Sequence, residues 1–416
     1  MKPEGRSQQL LGVTRSKAKM FEYGVHEDFH IQIKKDPARL FTLSIGILGD
    51  LSAQTNSNSI DEDRLNQLRE SLQFSARFFD SYLQSRLNED LEPYLLLVGA
   101  ASYYLCDLPG SSSVLAARLD IRSIDLESAG LERLLLWLLQ GNFSVNFDEM
   151  EGLYTNYIDQ IPKMMSAYFQ TGESADSLME NALSLRKTVY NNGTSRQLLF
   201  ADVICAVIKK RLENSVWYCL PQYSSLSVGK WQEVFNKKTF IRELWPAQHL
   251  LGKHGIFQGE SGVVQMPTSA GKTKATEIIV RSAFLSDRTS LAVIVAPFRA
   301  LCHEITNGLR KTFHNEPVNI DELSDVLQTD FEIEKLLRGK QILVVTPEKL
   351  LYVLRHSPEL AQGIGLLIYD EGHQFDNGKR GITYELLLTS LKSMIPAKIQ
   401  SVLISAVISN AESVGD

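Results

Sequence analysis

The stretch Gly262-Val-Val-Gln-Met-Pro-Thr-Ser-Ala-Gly-Lys-Thr273 joins a short apolar run to a turn that ends in Gly-Lys-Thr. The apolar run predicts a buried β-strand, and the turn predicts the start of a helix. A tight loop of this kind directs its backbone N–H groups towards a phosphate, and the following helix adds its dipole. Lys272 is then expected to contact the β- and γ-phosphates of a nucleotide, and the Thr273 hydroxyl to bind Mg²⁺. Because Met266 stands where the general phosphate-loop pattern has glycine, an ordinary helix start remains the alternative.

Four further apolar runs rich in β-branched residues follow this stretch, at 291–296, 341–346, 365–369 and 401–404. They do not alternate between apolar and polar residues, and helical patterns separate some of them, which is typical of a parallel sheet covered on both faces. The sequence therefore predicts a doubly wound α/β domain over residues 237–416. In such a sheet, ligands bind at the carboxyl ends of the strands.

A second polar cluster, Asp370-Glu-Gly-His373, comes directly after the run at 365–369. A buried carboxylate without a partner costs several kcal/mol, and a metal ion removes this cost. Asp370 fits the role of a Mg²⁺ ligand, and Glu371 that of the general base or orienter of an attacking water. The alternative is that both carboxylates are solvated in a surface loop.

The N-terminal half has a different pattern, with apolar residues at helical spacing, as at Leu178, Ala182, Leu185 and Val189. We expect a segment of mixed structure over 1–50, a polar loop over 52–63, and a helical domain over 60–236 with short Gly/Ser/Asn-rich connections. Its helices form either a packed core or a docking surface for a partner protein. The whole chain is predicted to be multidomain, with a mainly α-helical N-terminal domain followed by the α/β domain.

Composition narrows the class of protein but does not select a partner. The chain has 416 residues, a formal net charge of −6 and four cysteines at no metal-binding spacing. The first residues have no apolar signal region, and the longest nearly apolar run, 94–105, is too short to span a bilayer. We therefore expect a cytoplasmic protein with reduced thiols. Any nucleic-acid binding must use a local surface, since no global positive field is present.

Residues 241–416 resemble superfamily 2 helicases, in particular the Ski2-like and related DEAD/DEAH-box enzymes. In that family the phosphate loop has a form similar to Ala/Met-Pro-Thr-x-x-Gly-Lys-Thr, so Met266 is no departure from the family pattern. Asp370-Glu-Gly-His373 is similar to motif II, and Arg380-Gly-Ile-Thr-Tyr-Glu385 to the segment that often follows it. Ser405-Ala-Val407 stands where the family has Ser-Ala-Thr, motif III, and it lacks the threonine hydroxyl.

The resemblance implies a RecA-like motor domain that binds ATP and Mg²⁺ and hydrolyses ATP to move along single-stranded nucleic acid, with DNA favoured over RNA. Leu244-Trp-Pro-Ala-Gln248 looks like the adenine-reading segment, Ala296-Pro-Phe-Arg-Ala-Leu301 like motif Ia and Thr346-Pro-Glu-Lys349 like motif Ib. The site residues implied for ATP are Gln248, Thr268, Ser269, Ala270, Gly271, Lys272 and Thr273, and those implied for catalysis are Lys272, Asp370 and Glu371. Those implied for coupling are His373 and Ser405, and those implied for nucleic acid are Pro297, Arg299, Thr346 and Pro347.

Two of these assignments have ordinary alternatives. His373 is either a loop histidine or, as we favour, a contact to Ser405 that senses the nucleotide. Arg299 is either a solvated residue at a helix start or a contact to a phosphate of the strand.

The family closes its ATP site with a second motor domain whose motifs would follow motif III. We expect this chain to hold only the first motor domain, and so to bind ATP better than it hydrolyses it, because an arginine finger contributes about 10³–10⁵ in rate. A large helical extension before such a core also resembles bacterial antiphage defence helicases, including the helicase subunit of the Hachiman system.

Two other classes of function remain open from the sequence. One is a P-loop ATPase that remodels a protein partner. The two segments that resemble motifs Ia and Ib argue against it, because those motifs hold a nucleic-acid strand. The other is a degenerate ATP-binding scaffold, against which the intact Lys272, Thr273, Asp370 and Glu371 speak.

Overall fold

A computed structural model describes residues 38–57, 61–84, 92–143, 152–267, 270–322, 339–371 and 399–406, the short stretch 23–29, and isolated residues elsewhere. The chain forms two compact units, Met1–Asn214 and Ser215–Asp416. The first is mainly helical and the second contains a parallel sheet, which confirms the predicted fold class.

The described part of the first unit has eight α-helices and a 3₁₀ turn at Glu27–Phe29. The helices are α1 (Ala38–Thr55), α2 (Glu62–Gln84), α3 (Glu92–Leu105), α4 (Pro109–Ala116), α5 (Leu131–Gln140), α6 (Thr155–Thr171), α7 (Ala175–Asn192) and α8 (Ser195–Asn214). The helical spacing noted in α7 is confirmed, since Leu178, Ala182, Leu185 and Val189 are all buried.

Helix α1 continues into the polar segment that the sequence predicts to be a loop. The Ser52 hydroxyl donates to the Leu48 carbonyl at 2.8 Å, and the Thr55 hydroxyl donates to the Leu51 carbonyl at 2.7 Å. Because these side chains bond back to the preceding turn, their polarity does not end the helix there. The prediction of a loop from residue 52 is therefore wrong for the first four residues of that segment.

The second unit begins with three helices, α9 (Val216–Ser224), α10 (Val228–Phe235) and α11 (Pro246–Lys253), and a 3₁₀ turn at Ile256–Gln258. The sequence places the domain boundary at 236/237, whereas the compact units divide at 214/215. A bridge between Ser215 and Glu243, with Val216 N–H donating to the Arg242 carbonyl at 3.0 Å, ties the start of this region to the segment before α11.

Aromatic stacking further explains why α10 belongs to the second unit. The Trp231 ring is parallel to the Phe235 ring at a centroid distance of 5.7 Å, and Phe240 packs on both rings. Trp231 is fully buried, and its indole N–H donates to the Ser224 hydroxyl at 2.9 Å. This apolar cluster joins α9 and α10 to the segment that leads into the α/β domain.

The sheet has six parallel strands in the order β1-β6-β5-β2-β4-β3. The strands are β1 (Gly262–Gln265), β2 (Leu291–Val295), β3 (Val318–Glu322), β4 (Lys340–Val345), β5 (Ile364–Asp370) and β6 (Gln400–Ser405). The described helices between them are α12 (Lys272–Leu285), α13 (Arg299–Thr312), α14 (Pro347–His356) and α15 (Glu359–Gly363). All five runs that the sequence predicts to be parallel strands are confirmed.

Strand β3 is the one described strand that sequence reasoning missed. It lies at the edge of the sheet, and only Ile320 among its five residues is buried. A short edge strand with one buried position has no apolar run, so the criterion that identified the central strands could not find it.

None of the helices in the described ranges is both long and apolar enough to cross a membrane. All four cysteines are buried thiols outside any disulfide.

Candidate active site

The ammonium of Lys272 bridges two carboxylates at the carboxyl edge of the sheet. Lys272 is the first residue of α12, after β1, and Asp370 is the last residue of β5. Lys272 Nζ contacts Asp370 Oδ1 and Glu371 Oε1. The three side chains are 12%, 16% and 24% exposed, respectively, so the pairs are largely removed from water. The structure therefore brings together the residues predicted to act in catalysis, from positions about a hundred residues apart in the chain.

The backbone around Glu371 holds the two carboxylates in one arrangement. Glu371 has a left-handed φ of 55°, and its N–H donates to Asp370 Oδ1 at 3.1 Å. Burial raises the pKa of the Asp370 carboxyl above its ordinary value, and the hydrogen bond and charge of Lys272 oppose this effect. A non-glycine residue in a left-handed conformation costs of the order of 1–3 kcal/mol and is commonly retained at functional sites.

The phosphate loop turns sharply before α12. Ala270 N–H donates to the Pro267 carbonyl at 2.9 Å, and Gly271 occupies the N-cap position of α12 with a φ of 87°. Thr273 lies in the first turn of the helix and is exposed. Thr268 and Ser269, which are also predicted to bind ATP, lie outside the described residues.

Gln248 connects the segment that is predicted to read adenine to this loop. It is buried in α11; its Oε1 accepts from Trp245 N–H at 2.8 Å, and its Nε2 donates to the Gly271 carbonyl at 3.4 Å. Sequence reasoning gave no role to Trp245, although it lies in the quoted segment. A Cβ on Gly271 would be 3.8 Å from Trp245 Cε3, so the indole lies beside the phosphate loop.

We expect Gly271→Ala to weaken both nucleotide binding and thermal stability. A left-handed φ costs an L-residue about 1–2 kcal/mol, and the new Cβ would lie 2.8 Å from Gln248 Nε2, which must then move. Equilibrium binding of Mg-ATP and the melting temperature measure the two effects.

The matched control is Gly308→Ala in the middle of α13, where a Cβ would meet nothing within 4 Å. Alanine is more stable than glycine in a helix interior by about 0.5–1 kcal/mol. This variant should therefore be at least as stable as the parent protein. An ATP affinity unchanged by Gly271→Ala would contradict the assignment of this turn as the phosphate loop.

Strand β6 lies between β1 and β5 and brings Ser405 to the base of the phosphate loop. Ser405 is fully buried, it pairs with Gln265 in the sheet, and its carbonyl accepts from Met266 N–H at 2.8 Å. The first residue of the segment that resembles motif III is thus bonded to the residue that enters the predicted phosphate loop, a backbone contact that sequence patterns do not reveal. His373, predicted to contact Ser405, lies outside the described residues.

The residues predicted to bind nucleic acid lie at the same edge, on the other side of β5. Pro297 follows β2 and is buried, and Arg299 begins α13 with an exposed side chain. Thr346 follows β4, and Pro347 is the first residue of α14; both are buried. The two segments are adjacent because β2 pairs directly with β4.

The register of the strands fixes how near these segments are to the carboxylates. Val295, the last residue of β2, pairs with Tyr369 on one side and with Val345 on the other. Tyr369 directly precedes Asp370 in β5. Since neighbouring strands are about 4.8 Å apart, the segment after β2 leaves the sheet one strand away from Asp370 and Glu371.

A buried ion network holds the helix that carries Lys272. Arg281 and Glu277, one turn apart on α12, are each 2% exposed and are bonded at 2.9 Å. Arg281 also donates to both carboxylate oxygens of Glu316, at 2.8 and 3.0 Å, and Lys237 pairs with Glu316 at 2.9 Å. Burial alone would raise the pKa of Glu316, and the bonds from Arg281 and Lys237 outweigh it and hold the pKa below its ordinary value. The network fixes α12 to the segment before β3.

Comparisons with known proteins identify relatives of part of this chain. Residues 245–414 match the DEAD/DEAH box helicase family. The chain is 28% identical over 249 residues to the Hachiman protein HamB of Bacillus cereus, which covers 58% of this chain and 22% of that protein. It is 31% identical over 180 residues to the ATP-dependent DNA helicase Hel308 of Thermococcus kodakarensis, which covers 43% of this chain and 15% of that protein.

The chain therefore spans less than a quarter of the length of either relative. Among solved structures, the helicase Lhr of Mycobacterium smegmatis, bound to single-stranded DNA and AMP-PNP, aligns with 44% of this chain and 24% of its own, at 22% identity and a TM-score of 0.32. The family match covers the phosphate loop, both strand-end carboxylates and motif III. Residues 245–414 are therefore a superfamily 2 helicase domain of the DEAD/DEAH box family.

Proposed function

We propose that this chain carries the first motor domain of an ATP-dependent helicase or translocase that moves along single-stranded nucleic acid, with DNA favoured. One observation supports this most strongly. The strand order places the Lys272–Asp370–Glu371 cluster and the segments after β2 and β4 side by side at one edge of the sheet. ATP hydrolysis at this cluster can therefore move a nucleic-acid strand that the segments after β2 and β4 hold.

The chemistry of the cluster fits Mg-ATP. Mg²⁺ prefers oxygen ligands, and the site offers the Asp370 carboxylate and the Thr273 hydroxyl, with the desolvated environment of Asp370 favouring a cationic partner. Lys272 supplies the positive charge for the β- and γ-phosphates. When bound, the metal ion neutralises charge that develops on the transferred phosphoryl group.

Each residue of the chain then has one task. Lys272 binds and orients the phosphates, and Gly271 leaves room for the backbone to approach them. Glu371 orients the attacking water and accepts its proton. Among the described residues, Gln248 accepts one hydrogen bond and donates one, and its second amide hydrogen and second lone pair are proposed to bind the adenine edge.

Ser405 is proposed to couple the nucleotide site to strand β6. Its backbone is bonded to the entrance of the phosphate loop, so a change in the loop moves the end of β6. His373 is proposed as the contact that reports the state of the nucleotide to this strand.

We propose that the single-stranded nucleic acid runs over four residues, Pro297, Arg299, Thr346 and Pro347. A motor that translocates must accept every sequence, so contacts there should be to phosphate and sugar rather than to base edges. Arg299, whose side chain is exposed, supplies positive charge at the start of this path.

We expect Arg299→Ala to weaken binding to unrelated single-stranded sequences by about the same factor. One lost phosphate contact should reduce the slope of log K against log salt by at most about one unit. Fluorescence anisotropy of labelled oligonucleotides at several salt concentrations measures both quantities.

The control for this variant is Arg355→Ala, which removes an exposed arginine from the last turn of α14, away from the carboxyl edge of the sheet. It should leave the slope unchanged. A loss that depends on sequence, or binding that is indifferent to salt, would contradict a motor and favour an ATPase that remodels a protein partner.

The relatives support the choice of DNA and a role in defence against phage. Hel308 is named a DNA helicase, and HamB a Hachiman protein. The similarity to HamB is longer than the helicase domain itself, and so it includes residues of this chain outside 245–414. We propose that the helical unit serves a partner protein in such a system and that the protein works in the cytoplasm. Plaque assays of cells that carry the natural gene or a Lys272→Ala copy test the defence role.

A further inference from the structure

The ring of Tyr223 lies directly on the helix that carries Gln248. Tyr223 is half-buried on α9, and Gly252 lies near the end of α11. A Cβ on Gly252 would be 2.3 Å from Tyr223 Cδ2 and 2.4 Å from Tyr223 Cγ, far inside the contact distance of two carbon atoms. Glycine at position 252 is therefore what allows the ring to lie against the backbone of α11.

The same tyrosine also bonds to the residue that follows Gln248. The Tyr223 hydroxyl and His249 Nδ1 are 3.1 Å apart, and the two rings are nearly perpendicular, with a centroid distance of 5.8 Å. Burial raises the pKa of the Tyr223 hydroxyl above its ordinary value, so the hydroxyl keeps its proton at neutral pH. His249 and Gly252 are three residues apart and share one face of α11. Tyr223 thus contacts that face at two points.

The end of α9 is itself held in place. Ser224, the residue after Tyr223, is buried; its hydroxyl donates to the Leu220 carbonyl and accepts from the Trp231 indole N–H at 2.9 Å. Trp231 belongs to the aromatic cluster that joins α9 and α10. Tyr223 therefore projects from an anchored helix, and its two contacts can fix the rotation of α11 about its axis.

The rotation of α11 decides where the Gln248 amide lies. Successive residues of a helix project roughly 100° apart, so a rotation that moves His249 away from Tyr223 also moves Gln248. The Gln248 Oε1 accepts from Trp245 N–H, and its Nε2 donates to the Gly271 carbonyl. A reversed amide would set oxygen against oxygen and N–H against N–H, so these two bonds define which end of the amide is the oxygen.

We propose that Tyr223 is a positioning residue for the choice of the nucleotide base. By fixing the rotation of α11, it holds the Gln248 amide where adenine can donate its 6-amino hydrogen to Oε1 and accept at N7 from Nε2. Guanine has a carbonyl oxygen in place of the amino group and would set it against Oε1. The inference rests on the proposed function, since it requires Gln248 to contact the base. It adds that α9, which precedes residues 245–414, sets the selectivity of the ATP site.

The test measures the affinities of the full chain for Mg-ATP and for Mg-GTP by isothermal titration and compares their ratio. The variants are Tyr223→Ala, Tyr223→Phe, Gly252→Ala, Gln248→Ala and the double variant Tyr223→Ala/Gln248→Ala. Tyr218→Ala is the matched control, because Tyr218 is another tyrosine of α9 and its side chain is exposed. A partly unfolded variant binds both nucleotides less tightly by the same factor, so the ratio reports base selection and not folding.

We expect the natural protein to prefer ATP, and Tyr223→Ala to lower the ratio about 2- to 13-fold, the contribution of one hydrogen bond. Gly252→Ala should lower it as well, because the new methyl group displaces the ring. Tyr223→Phe keeps the ring on Gly252 and should lower the ratio less than Tyr223→Ala. The double variant should have the same ratio as Gln248→Ala, because the tyrosine acts through that amide. Tyr218→Ala should retain the natural ratio.

The results that would overturn the inference can be told apart. If Tyr223→Ala lowers both affinities equally or lowers neither, or if it still lowers the ratio when Gln248 is absent, Tyr223 does not position the amide, and the proposed function stands. If the natural protein binds ATP and GTP equally, Gln248 does not select the base, and the inference fails together with that part of the proposed function.

Discussion

We expect Lys272→Ala to weaken Mg-ATP binding at least about tenfold and to abolish most ATP turnover. A hydrogen bond to a charged group contributes about 1.5–3 kcal/mol, and the ammonium of Lys272 is the cation that Asp370 and Glu371 share. The substitution also leaves two adjacent, largely buried carboxylates without their shared cation, so the site loses affinity for further negative charge. Isothermal titration with Mg-ATP measures the affinity.

Lys274→Ala is the matched control for this change. Lys274 lies on the same helix, but its ammonium is bonded to the Thr239 carbonyl at 3.0 Å and to Glu277 at 2.9 Å, away from the carboxylate pair. It should retain the ATP affinity of the natural protein. Equal affinities of the Lys272→Ala variant and the natural protein would show that the loop before α12 does not bind phosphate.

Glu371→Gln should keep ATP and Mg²⁺ binding but lower turnover at least about a hundredfold, the scale of a lost general base. The glutamine has the same shape, and its carbonyl oxygen still accepts from Lys272, so the geometry of the site is preserved. It cannot accept a proton from water. Single-turnover hydrolysis under saturating protein separates this chemical step from binding.

Glu304→Gln, which removes the same charge from an exposed position on α13, is the control and should turn over ATP at the natural rate. Near-normal hydrolysis by Glu371→Gln would mean that Glu371 is not the base. Asp370, which burial makes less acidic than usual, would then be the next candidate.

The central strands and the active-site cluster could be predicted because each depends on a strong local signal. Strands β2, β4 and β5 are buried along most of their length, and a run of buried aliphatic residues is visible in the sequence. Lys272, Asp370 and Glu371 follow such runs, and the rule that parallel sheets bind ligands at their carboxyl ends brings them to one edge.

Other features could not be predicted because they depend on pairing between distant segments. The order β1-β6-β5-β2-β4-β3 decides which polar clusters are neighbours, and no periodicity encodes it. The bond from Met266 to the Ser405 carbonyl follows from that order. The left-handed φ of Glu371 arises where the chain leaves β5, and the residue type gives no indication of it.

The start of the second unit shows a different limit. Helices α9 and α10 have the amphipathic pattern of the helices before them, so local sequence gives no reason to separate them. Trp231 instead packs on Phe235 and Phe240 and finds its hydrogen-bond partner within the second unit. The choice between two cores is made by such tertiary contacts, which act beyond the range of any sequence window.

Steady-state hydrolysis of Mg-ATP with single-stranded DNA, with single-stranded RNA of the same length, or with neither tests the central claim most directly. We expect that single-stranded nucleic acid raises the rate, that DNA raises it more than RNA, and that Lys272→Ala removes the rate under all three conditions. A rate that neither nucleic acid changes, in a protein that binds Mg-ATP through Lys272, would contradict the account and assign the site to an ATPase that acts on protein.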